Sequence, residues 1–303
     1  MVGRVQVAIS ADGTEIVGRV RGQGPPLVLV HGALGNGEVA YEALAAHLTD
    51  RFTCYTPSTR GRGLSGDNPD HSPPRLEADI TAFVDSIGEP VSLVGWSGSC
   101  AWVLGTAARS DSVAAVTLFE PGVIGVGGED DMVGLGAAMQ QVGAAAADGR
   151  ILDAVHAFLP GICTDNEIAA LEKTPFYEQW SAGIPALLRF LQQDTSYEGP
   201  RSTDPEALRQ VAAPVLLLRG EQTLLGTFFA DVERYLARHL VDAHVRELPD
   251  VGHFAPLLEP EPIADELISF FESVQLVQRA SSDLGDRKEA RPSSPSGRPW
   301  NRA

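Results

Sequence analysis

Short apolar runs alternate with segments of helical period along most of this sequence. The runs are rich in leucine and β-branched residues at consecutive positions, which is typical of strands buried on both faces of a parallel sheet. Strands and helices that alternate at this spacing predict right-handed βαβ units, and hence an α/β fold with a mostly parallel sheet and helices on both faces. The predicted strands are 27–30, 52–55, 91–94, 113–119, 215–218 and 243–248, and the predicted helices are 38–48, 74–87, 97–109, 228–240 and 262–274.

The remaining segments define the limits of this core. Two β-rich stretches around Asp12-Gly13 predict an N-terminal hairpin of strands 5–9 and 15–20. Only helix-like segments occur between the strands ending at 119 and beginning at 215, and such an insertion predicts a lid over the carboxyl ends of the strands. Its helices are predicted at 132–147, 151–158, 167–171 and 176–193. The predicted organisation is a core of residues 1–127 and 205–278, a helical lid of residues 128–204, and a disordered tail of residues 279–303 that is rich in Ser, Pro and Arg.

Net charge and the spacing of cysteines and histidines disfavour several classes of partner and cofactor. The chain has 40 acidic and 23 basic residues, a net charge of −17, which disfavours nucleic acid and anionic membrane as partners. The N-terminus lacks the apolar run of a signal peptide, so we expect a cytoplasmic protein. With nucleic acid and membrane disfavoured, the expected partner is a small-molecule substrate. Cys54, Cys100 and Cys163 are never in CxxC spacing and the histidines are never in HExxH spacing, so neither a metal nor another cofactor is expected. The oligomeric state stays open.

The segment Gly95-Trp96-Ser97-Gly98-Ser99 carries the strongest chemical signal. It follows an apolar strand and precedes a helix-like stretch. A serine at such a sharp turn has its hydroxyl pushed out at the edge of the sheet, and small residues flank it because strand and helix approach closely. The free N–H groups at the start of the helix, that of Gly98 first, would face negative charge that develops on a substrate oxygen. The alternative is that Ser97 is an ordinary helix N-cap.

Three further motifs accompany this turn in a fixed order along the chain. In order and spacing, the four together resemble the α/β-hydrolase superfamily over roughly residues 15–274. The additional motifs are His31-Gly32, Arg60-Gly61-Arg62-Gly63-Leu64-Ser65 and Gly252-His253-Phe254.

The resemblance implies roles for residues at the matching positions. Ser97 is the expected nucleophile, His253 is its general base and later acid, and the backbone N–H groups of Ala33 and Gly98 form the oxyanion hole. His31 is expected to shape the turn that presents the N–H of Ala33. A serine nucleophile disfavours the dehalogenases and epoxide hydrolases of this superfamily, which require a carboxylate at that position.

The third triad residue departs from the common family pattern. Most members have an aspartate in a G-x-x-D stretch after the strand that follows the lid, whereas this chain has Gly220-Glu221-Gln222-Thr223. Glu120, at the end of the strand 113–119, is the preferred acid, because parallel strands all end at the same edge of the sheet. Glu221 is the second candidate, a site without any third acid is the remaining alternative, and Asp250 is expected to cap its own loop.

These residues predict a serine hydrolase that cleaves a small, largely apolar ester, lactone or related acyl compound through an acyl-enzyme. The lid is rich in apolar residues, and its inner face, including Met139, Phe158 and Trp180, is expected to line an apolar pocket. Two alternatives stay open. The same scaffold could serve a lyase, cyclase or perhydrolase, which product analysis would reveal, or a ligand-binding module, which would turn over no ester.

Overall fold

A computed structural model describes residues 4–123 and 125–289, and the side chains of all of these except residues 129 and 277–289. The described residues form one eight-stranded sheet in the order β1-β2-β4-β3-β5-β6-β7-β8. The first three strands in this order pair antiparallel and the others pair parallel. The strands are β1 (Arg4–Ile9), β2 (Glu15–Gly22), β3 (Pro26–Val30), β4 (Thr53–Pro57), β5 (Val91–Trp96), β6 (Val113–Phe119), β7 (Val215–Gly220) and β8 (Ala243–Leu248).

Helices lie between most of the parallel strands, as the alternation predicts. The central strands β3 and β5 are completely buried, because their apolar residues face helices on both sides of the sheet. None of the helices in the described part of the chain is long and apolar enough to span a bilayer. The α-helices are α1 (Glu42–Leu48), α2 (Pro73–Asp85), α3 (Cys100–Ala107), α4 (Glu129–Ala147), α5 (Ile151–Phe158), α6 (Asp165–Leu171), α7 (Phe176–Ser181), α8 (Ile184–Thr195), α9 (Pro205–Leu208), α10 (Gly226–His239), α11 (Ala255–Leu258) and α12 (Pro260–Glu289).

The predicted α/β architecture and N-terminal hairpin are confirmed, but two predicted segments are wrong. A single helix was expected over 176–193, whereas the structure has α7 and α8 with a break at Gly183. Pro185 lies in the first turn of α8, where its missing N–H group is tolerated, but inside a continuous helix its ring would collide with the preceding turn. Gly183 also packs against the backbone of Leu34, where a Cβ atom would lie only 2.0 Å from the carbonyl oxygen.

The expected start of a disordered tail at residue 279 is also wrong. Helix α12 continues to Glu289, so residues 279–289 are helical. Extending an existing helix costs much less than starting one. The rest of the predicted tail, residues 290–303, lies outside the described residues.

A buried ion pair anchors the loop that follows β4. The Arg60 guanidinium, which is completely buried, donates two hydrogen bonds to Asp79 on α2, of 2.7 and 2.6 Å. It donates a third, of 2.8 Å, to Asp12 in the N-terminal hairpin. Burial opposes the charge of Arg60, but the hydrogen bonds with Asp79 and Asp12 outweigh it and raise the pKa of the guanidinium. This residue therefore ties together the hairpin, the loop and α2.

Removing the buried carboxylate is expected to destabilise the fold strongly. Asp79→Asn should lower the free energy of unfolding by about 3–5 kcal/mol, the usual cost of leaving a buried charge without its partner. The matched control is Glu272→Gln, which removes an exposed pair with Arg51 and should cost about 1 kcal/mol or less. Urea unfolding monitored by circular dichroism gives both values. Equal shifts for the two variants would contradict the anchoring role of the Arg60–Asp79 pair.

Candidate active site

Ser97 lies at a strained turn between β5 and the helix that follows. Its φ angle is 57°, in the left-handed region that non-glycine residues rarely adopt. The turn begins with one 3₁₀ turn over Ser97–Ser99 before α3 starts. A Cβ atom on Gly95 would lie 3.1 Å from the Cα atom of Cys100, so strand and helix are as close as the sequence predicts. Backbone strain of this kind occurs at functional sites, and here it is found at the predicted nucleophile.

His253 and Glu120 meet at the same edge of the sheet. The Nδ1 atom of His253 lies 2.6 Å from Oε2 of Glu120, and both side chains are buried. An ionised carboxylate only accepts hydrogen bonds, so the Nδ1–H group donates and Nε2 is left as the basic nitrogen. Glu120 also has a positive φ, of 46°, directly after β6. The preferred acid from the sequence is therefore the carboxylate that contacts His253.

Thr223 has a role that sequence analysis missed. It occupies the fourth position of Gly220-Glu221-Gln222-Thr223, where the G-x-x-D pattern has an aspartate, and its hydroxyl donates a 3.1 Å hydrogen bond to Oε2 of Glu120. The other oxygen of Glu120 accepts a 2.9 Å bond from the backbone N–H of Gly220. Glu221, the second candidate, is exposed, and one of its oxygens lies 3.4 Å from the backbone N of Asp250. Thr223, in place of the aspartate of the G-x-x-D pattern, thus donates a hydrogen bond to the carboxylate of Glu120, which follows the neighbouring strand.

The two predicted oxyanion residues lie next to each other. A Cβ atom on Gly98 would lie 3.1 Å from that of Ala33 and 3.9 Å from its backbone N. His31 supports this loop, because its Nε2 accepts a 3.0 Å bond from the N–H of Thr59 and its Nδ1 lies 2.7 Å from the carbonyl oxygen of Gly32. Nδ1 therefore carries the proton and donates to Gly32. Because the peptide is planar and trans, holding this carbonyl also directs the N–H of Ala33.

Burial keeps His31 neutral. Its ring is completely buried, and burial, together with the nearby charge of Arg62, lowers the pKa of His31 to about 3. The tautomer that donates to Gly32 and accepts from Thr59 is therefore maintained throughout the neutral range. The expectation that His31 shapes this turn agrees with its hydrogen bonds.

A cavity of about 190 Å³ opens at Ser97, Gly98 and Ala33. Its walls are largely apolar and come from both the core and the helices between β6 and β7. Met139 and Phe158 line it as expected from the sequence, and Phe229, which stacks on the His253 ring with centroids 5.3 Å apart, lines it as well. The other apolar lining residues include Trp102, Met132, Leu135, Ile162, Leu187 and Phe190.

Trp180 does not line this cavity, contrary to expectation. Its ring packs on Trp96 and Phe254, with centroids 6.0 and 5.7 Å apart, and stacks on Phe176. Trp96 in turn donates a 3.1 Å hydrogen bond from Nε1 to the carbonyl oxygen of His253. This aromatic cluster connects α7, the turn at Ser97 and the loop of His253.

The structure brings the predicted site residues to one edge of the sheet without one expected contact. Among the hydrogen bonds of the described residues, none joins the Ser97 hydroxyl to His253. Such contacts are often long before substrate binds. Cys54, Cys100 and Cys163 are buried and form no disulfide, and burial and then the charge of Glu120 raise the pKa of Cys100.

Comparisons with known proteins agree with this architecture. The chain is 27% identical over 263 residues to 2-(acetamidomethylene)succinate hydrolase from Mesorhizobium japonicum, a match that covers 84% of this chain and 91% of the relative. A solved α/β hydrolase from Sphaerobacter thermophilus DSM 20745 is 26% identical with a TM-score of 0.68, covering 88% of this chain and all of that one. An esterase from Rhodococcus sp. ECU1013 has the same fold, with a TM-score of 0.70, 22% identity, and coverage of 89% and 99%. Residues 27–266 match the model of the alpha/beta hydrolase family, and the chain therefore belongs to this family of enzymes.

Proposed function

We propose that this chain is a serine hydrolase that cleaves a small, largely apolar ester, lactone or related acyl compound through an acyl-enzyme. One observation carries the proposal: two features lie at the same edge of the sheet. Ser97, with a strained backbone, lines an apolar cavity, and His253 and Glu120 form a buried hydrogen bond. The names of the relatives, a succinate-derivative hydrolase and an esterase, support hydrolysis as the reaction.

In the proposed mechanism, the Ser97 hydroxyl attacks the substrate carbonyl while His253 accepts its proton at Nε2. Glu120 holds the Nδ1–H group and stabilises the positive charge that develops on the ring. The N–H groups of Ala33 and Gly98 bind the oxyanion, and His253 then returns the proton to the leaving alcohol. Water, deprotonated by the same histidine, attacks the acyl-enzyme and releases the acid.

The lining of the cavity supports an uncharged substrate. Two carboxylates line it, and each already has a cation: Glu77 pairs with Arg109, and Asp194 pairs with Arg201 at 2.7 Å. Arg201, the only cationic residue among the described lining residues, is therefore already neutralised. A substrate carboxylate would meet apolar walls and no unpaired cation among the described lining residues, which is unfavourable for a charged group.

Replacing the proposed nucleophile tests the reaction class. Ser97→Ala should abolish hydrolysis of short-chain p-nitrophenyl esters and labelling by a fluorophosphonate, because the alanine has no oxygen to attack the carbonyl or the phosphorus. Both are measured on wild type and variant, with melting temperature as the control for folding. Labelling of the variant at the wild-type rate would reject Ser97 as nucleophile.

Two matched glutamate variants test the acid. Glu120→Gln should lower kcat on the order of 10⁴-fold, because an amide cannot stabilise the protonated ring and can impose the wrong tautomer. Glu221→Gln, at an exposed site, should change kcat by about twofold at most. In the double variant Glu120→Gln with Thr223→Asp, the new carboxylate lies close to His253 and should restore part of the lost activity. Equal losses for the two single variants would contradict the assignment.

Charge selectivity tests the proposed substrate class. A neutral p-nitrophenyl ester should have a kcat/KM at least about 100-fold above that of an ester of equal length ending in a carboxylate, because about 3 kcal/mol is lost when a buried charge lacks a partner. Steady-state kinetics on the pair give the ratio. Preference for the anionic ester would instead indicate a carboxylate substrate, as the name of the Mesorhizobium japonicum relative suggests for that protein.

A further inference from the structure

Arg62 is a buried cation without an acidic partner. Only 3% of the residue is exposed, and no carboxylate of the described residues lies within ion-pair distance of its guanidinium. Its Nε atom is buried and has no hydrogen-bond partner. By contrast, Arg60, two residues earlier, contacts two carboxylates. Burying an unpaired charge costs several kcal/mol, so a stable chain retains one only where other interactions compensate.

The hydrogen bonds that Arg62 does make lead to the oxyanion loop. One terminal nitrogen donates a 2.5 Å bond to the carbonyl oxygen of Ala33, and the other donates a 2.7 Å bond to the Thr59 hydroxyl. Thr59 is also the residue whose backbone N–H fixes the His31 ring. Arg62 itself does not line the cavity. Its effect on bound substrate would therefore pass through Ala33.

His31 and Arg62 together hold the two peptides that flank Ala33. His31 donates to the carbonyl of Gly32, which belongs to the same peptide as the Ala33 N–H. Arg62 donates to the carbonyl of Ala33, in the next peptide. With both carbonyls held, the backbone angles of Ala33, a residue that lines the cavity, have little freedom, and its N–H group is held in one direction. Such preorganisation is what makes an oxyanion hole effective.

The cation remains charged at neutral pH. Burial, and then the nearby charge of Arg189 on α8, lower the pKa of Arg62 to about 9. Asp67, which forms a 2.8 Å ion pair with Arg189, partly offsets this effect. His71 also faces Asp67, at 3.1 Å. A positive charge therefore lies directly behind the Ala33 peptide in a region from which water is excluded, where it favours negative charge in the adjacent cavity.

We propose that Arg62 is a positioning residue for the oxyanion hole: it holds the Ala33 peptide and adds positive potential behind it. This inference rests on the proposed serine-hydrolase function. The sequence alone predicts no role for Arg62, because its contact with Ala33 joins two loops separated by a strand and a helix.

The test compares Arg62→Met, which removes the charge at similar length, with Arg62→Lys, which keeps it. On a neutral p-nitrophenyl ester, Arg62→Met should lower kcat by about 10- to 100-fold, less than the loss of an oxyanion donor itself, and leave KM within about twofold. The Ki of an apolar trifluoromethyl ketone, which forms a tetrahedral oxyanion adduct with Ser97, should rise by the same factor. The Ki of the matching secondary alcohol, which forms no adduct, should not change.

Arg189→Met is the matched control. It removes a neighbouring cation that makes no contact with Ala33, and kcat should stay within about twofold of wild type. A wild-type kcat in Arg62→Met would overturn the proposal. An equal rise in Ki for the ketone and the alcohol would also overturn it, because a purely structural role of Arg62 affects the binding of both inhibitors alike. If Arg62→Met does not fold, Arg62→Lys provides the test. The proposal then requires kcat to fall by about 2- to 10-fold, with the Ki of the ketone raised and the Ki of the alcohol unchanged.

The activities of wild type and of the two variants distinguish an error in the positioning role from an error in the proposed function. If only the positioning role is wrong, wild type hydrolyses esters, Ser97→Ala does not, and Arg62→Met behaves as wild type. If the function itself is wrong, wild type neither hydrolyses an ester nor binds the ketone more tightly than the alcohol, and the positioning role fails with it.

Discussion

All parallel strands of the sheet end at one edge, and the site depends on this constraint. Residues in the loops that follow β3, β5, β6 and β8 are brought to that edge although they are far apart in sequence. Three non-glycine residues with positive φ, Ser97, Glu120 and Asp250, follow strands there. Each such conformation costs of order 1–3 kcal/mol and persists only where packing overdetermines it. The tight contact of Gly95 with α3 provides that packing at Ser97.

Glu120, the residue proposed as the acid, follows β6 and contacts residues at or after the ends of β7 and β8. β6 and β7 are neighbours in register, Phe119 beside Leu218, so the residue after β6 lies close to the turn after β7. Glu120 reaches His253 from β6, while the N–H of Gly220 and the hydroxyl of Thr223 hold it from the β7 side. The carboxylate of Glu120 therefore follows one strand and is held by hydrogen-bond donors at and after the end of the neighbouring strand.

The helices between β6 and β7 contact the core in two different ways. One group of residues on these helices, including Met139 and Phe158, faces the cavity at Ser97. The other, around Phe176 and Trp180, packs on Trp96 and Phe254 and closes the core beside His253. Both groups contain large apolar side chains, so composition does not separate a residue that lines the cavity from one that packs on the core. Only the direction in which each helix packs makes that distinction.

The sequence by itself determined the alternation of strands and helices, the parallel sheet, the strained turn at Ser97 and the preference for Glu120, because these follow from local periodicity and from the common edge of parallel strands. Tertiary structure decided the rest. The break at Gly183 depends on its contact with Leu34, the role of Thr223 on a carboxylate 103 positions earlier, and the placement of Arg62 on the carbonyl of Ala33. Each of these is a contact between segments distant in the chain, which no local pattern encodes.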